Sequence, residues 1–148
     1  MLPQPTREQL LRDLTSWGPE ADVAAITLAD RGDNSALPEI LRSILRECGM
    51  EHIPDARIDS FVRLAGPEHV RMLAEELEQL DEAELELDAG DTGDEFWRIQ
   101  TAIERIMVGI GPRALDPVQI AQSSTQNRFA LESLSRVIRH LTGEPVDE

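Results

Sequence analysis

The chain has 148 residues, and its 29 acidic side chains outnumber its 14 basic ones, giving a formal net charge of −15. The length is typical of one domain, and we expect residues 1–148 to form one, with flexible ends at 1–5 and 144–148. No run of about 20 apolar residues indicates a membrane span, and no signal-peptide pattern is visible. The acidic excess argues against direct nucleic-acid binding, because neutralising phosphates requires clustered Lys and Arg.

Two residue counts exclude further classes of function. Cys48 is the only cysteine, so an intrachain disulfide and a multi-cysteine zinc site are excluded. All basic residues are arginines, and without lysine the chain has neither a Schiff-base lysine nor a P-loop lysine. The lone cysteine and the missing signal-peptide pattern together lead us to expect a cytoplasmic protein.

Apolar residues recur at the helical spacing of three and four along the N-terminal part of the chain. The first pattern ends at Trp17, which is predicted to lie in the core. The second, residues 19–31, is apolar over most of its circumference and is predicted to be the most buried helix. The third begins near Asp33 and ends at Gly49, and its stripe includes Cys48, which predicts burial of that thiol.

Four more patterns follow in the C-terminal part. They cover residues 55–66, residues 67–80 with a continuation to Leu87, residues 92–110 and residues 116–143, and a loop is predicted at 88–92. The polar stretch 123–127 is expected to divide the last pattern into two helices. No segment alternates as a strand does, so the predicted fold class is all-α. We expect about seven helices packed as consecutive antiparallel pairs.

Two of these helices carry a motif. A small-residue helix ends at the turn Gly32-Asp33, and the next helix opens with Ala36-Leu37-Pro38 and continues with paired aliphatic residues. This pattern resembles one unit of a HEAT- or armadillo-type helical repeat, and residues 56–77 form a weaker second copy. The resemblance covers mainly residues 21–77 and implies a stack of helices that acts as a scaffold for binding partners. An irregular helical bundle is the alternative architecture.

The acidic residues are concentrated in one window. Eleven of them, and no basic residue, lie between Met72 and Trp97. On a continuous helix, Glu75, Glu78, Glu82 and Glu86 share one face, opposite the leucines. This face predicts binding to a basic surface of a partner protein; the alternatives are a solvated face that supports solubility and a metal site.

The metal alternative lacks the required spacing. Asp88, Asp91 and Asp94 recur at every third residue, whereas an EF-hand loop places acidic ligands at every second position. His52, His69 and His140 are far apart in sequence, and His69 is expected to be partly buried. We therefore predict no metal site and no cofactor.

Trp97 lies about 100° from the apolar face of its helix. It either marks the margin of a wide buried arc or is an exposed anchor for a partner, since tryptophan is enriched in interface hot spots.

These features predict a non-catalytic protein–protein interaction module, either an adaptor or a regulatory subunit. The alternative is an acidic inhibitor or immunity-type protein that occludes the basic cleft of a nucleic-acid enzyme. An enzyme built only on carboxylates is a third hypothesis. A concave surface between helix pairs would favour the adaptor, and a convex ridge of carboxylates spaced like a phosphate backbone would favour the inhibitor. The oligomeric state and the partner are left open.

Overall fold

The computed structural model describes residues 4–49, 52–79 and 92–143, with side chains for all of these except 92–96. These ranges contain α-helices and short 3₁₀ turns but no strand, which confirms the predicted all-α class. The helices are α1 (Arg7–Asp13), α2 (Pro19–Asp30), α3 (Leu37–Cys48), α4 (Asp55–Leu64), α5 (Val70–Glu78), α6 (Thr92–Ile110), α7 (Leu115–Ser124) and α8 (Arg128–Thr142).

Local sequence signals define several helix ends. Thr6 and Gln9 form a capping box at the start of α1, each side chain bonding the other residue's amide. Gly18 and Gly111 have positive φ, and each precedes a proline that opens the next helical turn. The chain breaks between α7 and α8, as predicted, and Asn127 caps α8 by accepting bonds from two amides.

One contiguous core joins all eight helices. The longest helix, α6, contributes four fully buried side chains and packs against α3, α4, α5 and α8. The other extensive packings join α2 to α4, and α7 to α8. Because α2 and α4 are not successive helices, tertiary packing does not simply follow chain order. The consecutive antiparallel pairing and the helical repeat remain predictions.

Burial confirms several assignments. Cys48 is fully buried, Leu41 and Ile103 lie in the core, and the His69 side chain is partly buried. Two other predictions were wrong. Trp17 is 48% exposed, because α1 ends at Asp13 and places the ring in a turn, where it stacks on an arginine of α3.

The second error concerns α2. It buries five of its 12 residues, whereas α3, also of 12 residues, buries seven. The buried face of α2 consists mainly of alanines packed on its neighbours, and Val23 and Ile26 are exposed on the other face.

In the part of the chain that the structure describes, no helix is both long and apolar enough to span a bilayer.

The burial of Cys48 gives a testable consequence. Burial raises the pKa of the Cys48 thiol to about 11, so roughly one thiol in a thousand is ionised at pH 8. We expect a disulfide reagent at pH 8 to label the native chain very slowly, and to label it stoichiometrically once guanidinium unfolds it. Complete labelling of the native chain within minutes would contradict this burial.

Candidate functional site

An open groove of about 580 Å³ runs between α5 and α7. Both helices line it with residues at helical spacing, and the 3₁₀ turn before α5 contributes Pro67 and Glu68. The lining residues are Pro67, Glu68, Arg71, Ala74, Glu75, Glu78, Pro117, Ile120, Ala121 and Ser124. This volume lies within the roughly 300–1,000 Å³ that binding sites commonly occupy.

The α5 side of the groove is acidic because of how this helix distributes its residues. Val70, Leu73 and Leu77 point into the core. The remaining positions place Glu75 and Glu78 in the groove, and Glu68 joins them from the preceding turn. Arg71 is the single cation among the lining residues; its Nε lies 3.3 Å from Oε1 of Glu75, and both side chains are largely exposed. Among the described residues, the groove therefore carries three carboxylates against one guanidinium.

The α7 side is apolar. Val118 anchors α7 in the core, while Ile120 is 67% exposed and faces the groove together with Pro117 and Ala121. Across the groove, Ala74 lies on α5, and the short side chains of the two alanines leave the space between the helices open. Ile120 therefore places an exposed aliphatic side chain across the groove from the carboxylates of α5.

Asn127 holds the groove in place at one end. Its Nδ2 donates a hydrogen bond of 2.9 Å to the carbonyl oxygen of Glu78, and its Oδ1 caps α8. The end of α5 is thereby attached to the start of α8, which itself packs on α7. The acidic side is thus fixed relative to the apolar side.

The structure describes only some of the site residues that the sequence predicted. Glu75 and Glu78 line the groove, whereas Glu82 and Glu86 lie outside the described residues, as do Asp88 and Asp91. Trp97 is 59% exposed on α6 but does not line the groove. Ile120 was not predicted as a site residue. The available signal was the spacing of Pro117, Ile120, Ala121 and Ser124, which places four residues on one side of α7.

A second polar cluster lies inside the fold. The Arg57 side chain is fully buried, and its Nε donates to Oδ1 of Asp22 at 2.7 Å. Its Nη1 donates to Oγ of Ser43 at 3.0 Å, and its Nη2 pairs with Oε1 of Glu47. The Gly18 amide also donates to that oxygen, at 3.0 Å. This cluster ties α4 to α2, α3 and the turn before α2.

The charges in this cluster compensate one another. Burial alone would raise the pKa of Glu47, but hydrogen bonds from the Gly18 amide and Arg57 lower it below its ordinary value. With its donors directed at protein acceptors, the guanidinium is a structural cross-link, and the sequence analysis did not detect it.

Other candidate chemical groups have structural partners. The carbonyl of Cys48 accepts a hydrogen bond from Nε of Arg98, and Nδ1 of His69 accepts one from the Gly66 amide. Among the described side chains, those of residues 4–49, 52–79 and 97–143, no three from His, Cys, Asp or Glu are grouped to hold a metal ion. No protein-family model, curated protein or solved structure matches the chain.

Proposed function

We propose that the chain is a non-catalytic interaction module, an adaptor or regulatory subunit of the cytoplasm, that binds the basic surface of a partner protein through the α5–α7 groove. One observation carries this proposal: Glu68, Glu75 and Glu78 flank an open groove whose other side exposes Ile120. Complementary charge guides a partner to such a site, and apolar contact then holds it.

The shape of the acidic surface supports an adaptor over an inhibitor. An inhibitor that occludes a basic cleft calls for a convex ridge of carboxylates. Glu75 and Glu78 instead line a concave surface between two helices. A groove with one acidic and one apolar side offers a partner segment both compensating charge and apolar contact, which supports the adaptor.

The charges should act mainly on the rate of association. Glu75 and Glu78 are exposed, and exposed charges at the edge of an interface attract a partner over a distance set by ionic strength. We expect Glu75→Arg/Glu78→Arg to slow association roughly tenfold at low salt and to flatten its salt dependence, with a smaller effect on dissociation.

The experiment first identifies the partner and then measures rates. A photo-crosslinking residue at Ser124, with one at Val23 on α2 as control, captures the protein that occupies the groove in extracts of the source organism. Association rates of that protein are then measured at low and high salt. The matched control is Asp59→Arg/Glu132→Arg, which reverses two exposed mid-helix charges outside the groove and makes the same net change of +4, from two reversals of +2 each.

Fold stability must be checked in both variants. Reversing Glu75 replaces its exposed ion pair with Arg71 by a like-charge pair, so we expect the free energy of unfolding to change by no more than about 1 kcal/mol. A groove variant that binds at the wild-type rate at every ionic strength, or no more slowly than the control variant, would overturn the proposed function.

A further inference from the structure

We propose that the occupant of the α5–α7 groove is a single amphipathic helix of the partner protein. Its aliphatic side chains would lie on Ile120, Ala74 and Ala121, and its Lys or Arg side chains would face Glu75 and Glu78. This inference rests on the proposed function and specifies the form of the partner segment.

The dimensions of the groove suit a helix. Its α5 side extends from Pro67 to Glu78 and its α7 side from Pro117 to Ser124. At a rise of 1.5 Å per residue the α5 side spans roughly 16 Å and the α7 side roughly 10 Å, so a docked helix would contact both sides over about two turns. Both sides present residues at spacings of three and four, so a third helix can place its own side-chain ridges between them.

The groove lacks what other peptide conformations require. Helices form both sides of this groove, so it offers no sheet edge at which an extended peptide could pair its backbone amides and carbonyls. A polyproline segment is commonly held by aromatic side chains, and the described residues that line this groove include none. A helix satisfies its own backbone hydrogen bonds and needs only apolar contact and compensating charge.

Charge also decides between a partner and this chain itself. Residues 80–91 carry six acidic side chains and residues 144–148 carry three, and neither segment contains a basic residue. Each would be repelled by Glu75 and Glu78. A second copy of the chain brings a net charge of −15 to the same surface. These charges favour an occupant that is a basic segment of a different protein.

A designed peptide tests this inference without knowledge of the natural partner. The probe is a fluorescein-labelled 14-residue peptide of Leu, Ala and Lys, with leucines at helical spacing on one face. A scrambled peptide of the same composition keeps the charge but loses the apolar face. We expect the patterned peptide to bind the full chain roughly tenfold more tightly than the scrambled one, and to gain helical circular dichroism on binding.

One substitution separates apolar docking from charge attraction. Ile120→Asp removes the exposed aliphatic side chain but adds a negative charge, so attraction by charge alone predicts equal or tighter binding. Docking of a helix predicts roughly tenfold weaker binding of the patterned peptide. Val23→Asp is the matched control, because Val23 is 60% exposed on α2, outside the groove, and this variant should bind as the wild type does.

The amides of Ala74 and Ala121 provide a second measurement that needs no variant. Their NMR signals should shift during titration with the patterned peptide, while that of Ala25 in α2 should not. Equal affinity of the two peptides, or an Ile120→Asp variant that binds as tightly as the wild type, would overturn the helical occupant.

The inference and the proposed function fail in different ways. Suppose that Glu75→Arg/Glu78→Arg slows binding of the natural partner while Ile120→Asp leaves it unchanged. The partner then recognises the acidic surface without inserting a helix, and only the inference falls. An unchanged rate in Glu75→Arg/Glu78→Arg at low salt removes the proposed function itself.

Discussion

Replacing Arg57 with leucine is expected to lower the free energy of unfolding by about 3–5 kcal/mol, the range typical of removing one partner from a buried ion pair. The guanidinium is fully buried and pairs with Glu47, whose side chain is only 6% exposed. Without it the Glu47 carboxylate lies in the interior and keeps the hydrogen bond from the Gly18 amide, with Nδ1 of His52 3.8 Å from its Oε2. Denaturant unfolding of both proteins measures the difference.

Arg63→Leu is the matched control for this prediction. Arg63 lies on the same helix and pairs with Asp30 at 2.8 Å, but both side chains are more than half exposed. Exposed pairs contribute about 0–1 kcal/mol, so this variant should stay near wild-type stability. The double variant Arg57→Leu/Glu47→Leu should recover part of the loss, because no buried carboxylate is left unpaired. If Arg57→Leu costs no more than Arg63→Leu, the buried cross-link does not hold the helices together.

Glu47 also gives this cluster a pH dependence whose sign can be stated. Its pKa in the folded chain is below its ordinary value of 4.5. The corresponding stability is therefore fully present above pH 4.5 and is lost as the pH falls through the lowered folded pKa. In Glu47→Gln, unfolding free energy should fall less steeply over this acid range than it does in the wild type.

Leu41→Ala and Ile103→Ala are each expected to lower the free energy of unfolding by about 2–5 kcal/mol, because both remove methyl groups from well-packed interior sites. Leu41 is 3% exposed on α3, and Ile103 is fully buried on α6, the helix that packs against four others. Urea titrations monitored by far-UV circular dichroism provide the measurement.

Ile120→Ala serves as the control for these core substitutions. It makes a similar change of side chain at an exposed position, so we expect a change of about 0.5 kcal/mol or less. Losses below about 0.5 kcal/mol for both Leu41→Ala and Ile103→Ala would show that the core has been assigned to the wrong residues.

Several features of the structure were predictable because they depend on local order along the chain. Helical spacing of apolar residues placed Leu41, Cys48 and Ile103 on buried faces, and the polar stretch at 123–127 predicted the break before α8. Glycine–proline pairs predicted the turns that separate helices. Glycine readily adopts a positive φ, and proline lacks the amide hydrogen that a continuing helix would use. The excess of carboxylates on α5 likewise followed from the local sequence, in which the acidic residues are concentrated.

Other features were not predictable because they depend on residues that are distant in sequence. Trp17 continues an apolar stripe, but the pattern does not determine that α1 ends at Asp13 and leaves the ring outside the core. Arg57 is charged and would be expected at the surface. Its burial depends on Asp22 and Glu47, which lie 35 and 10 residues away in sequence.

The groove shows the same division between local and tertiary information. The local sequence determined that α5 carries carboxylates. The spacing of three and four residues determined that Pro117, Ile120 and Ser124 share one side of α7. Only the tertiary structure decided that these two surfaces face each other, because α5 and α7 are more than 35 residues apart in the chain and their approach depends on packing with α6 and α8. Helical periodicity describes what each helix can bury; the contacts among all the helices determine which faces remain open to a partner.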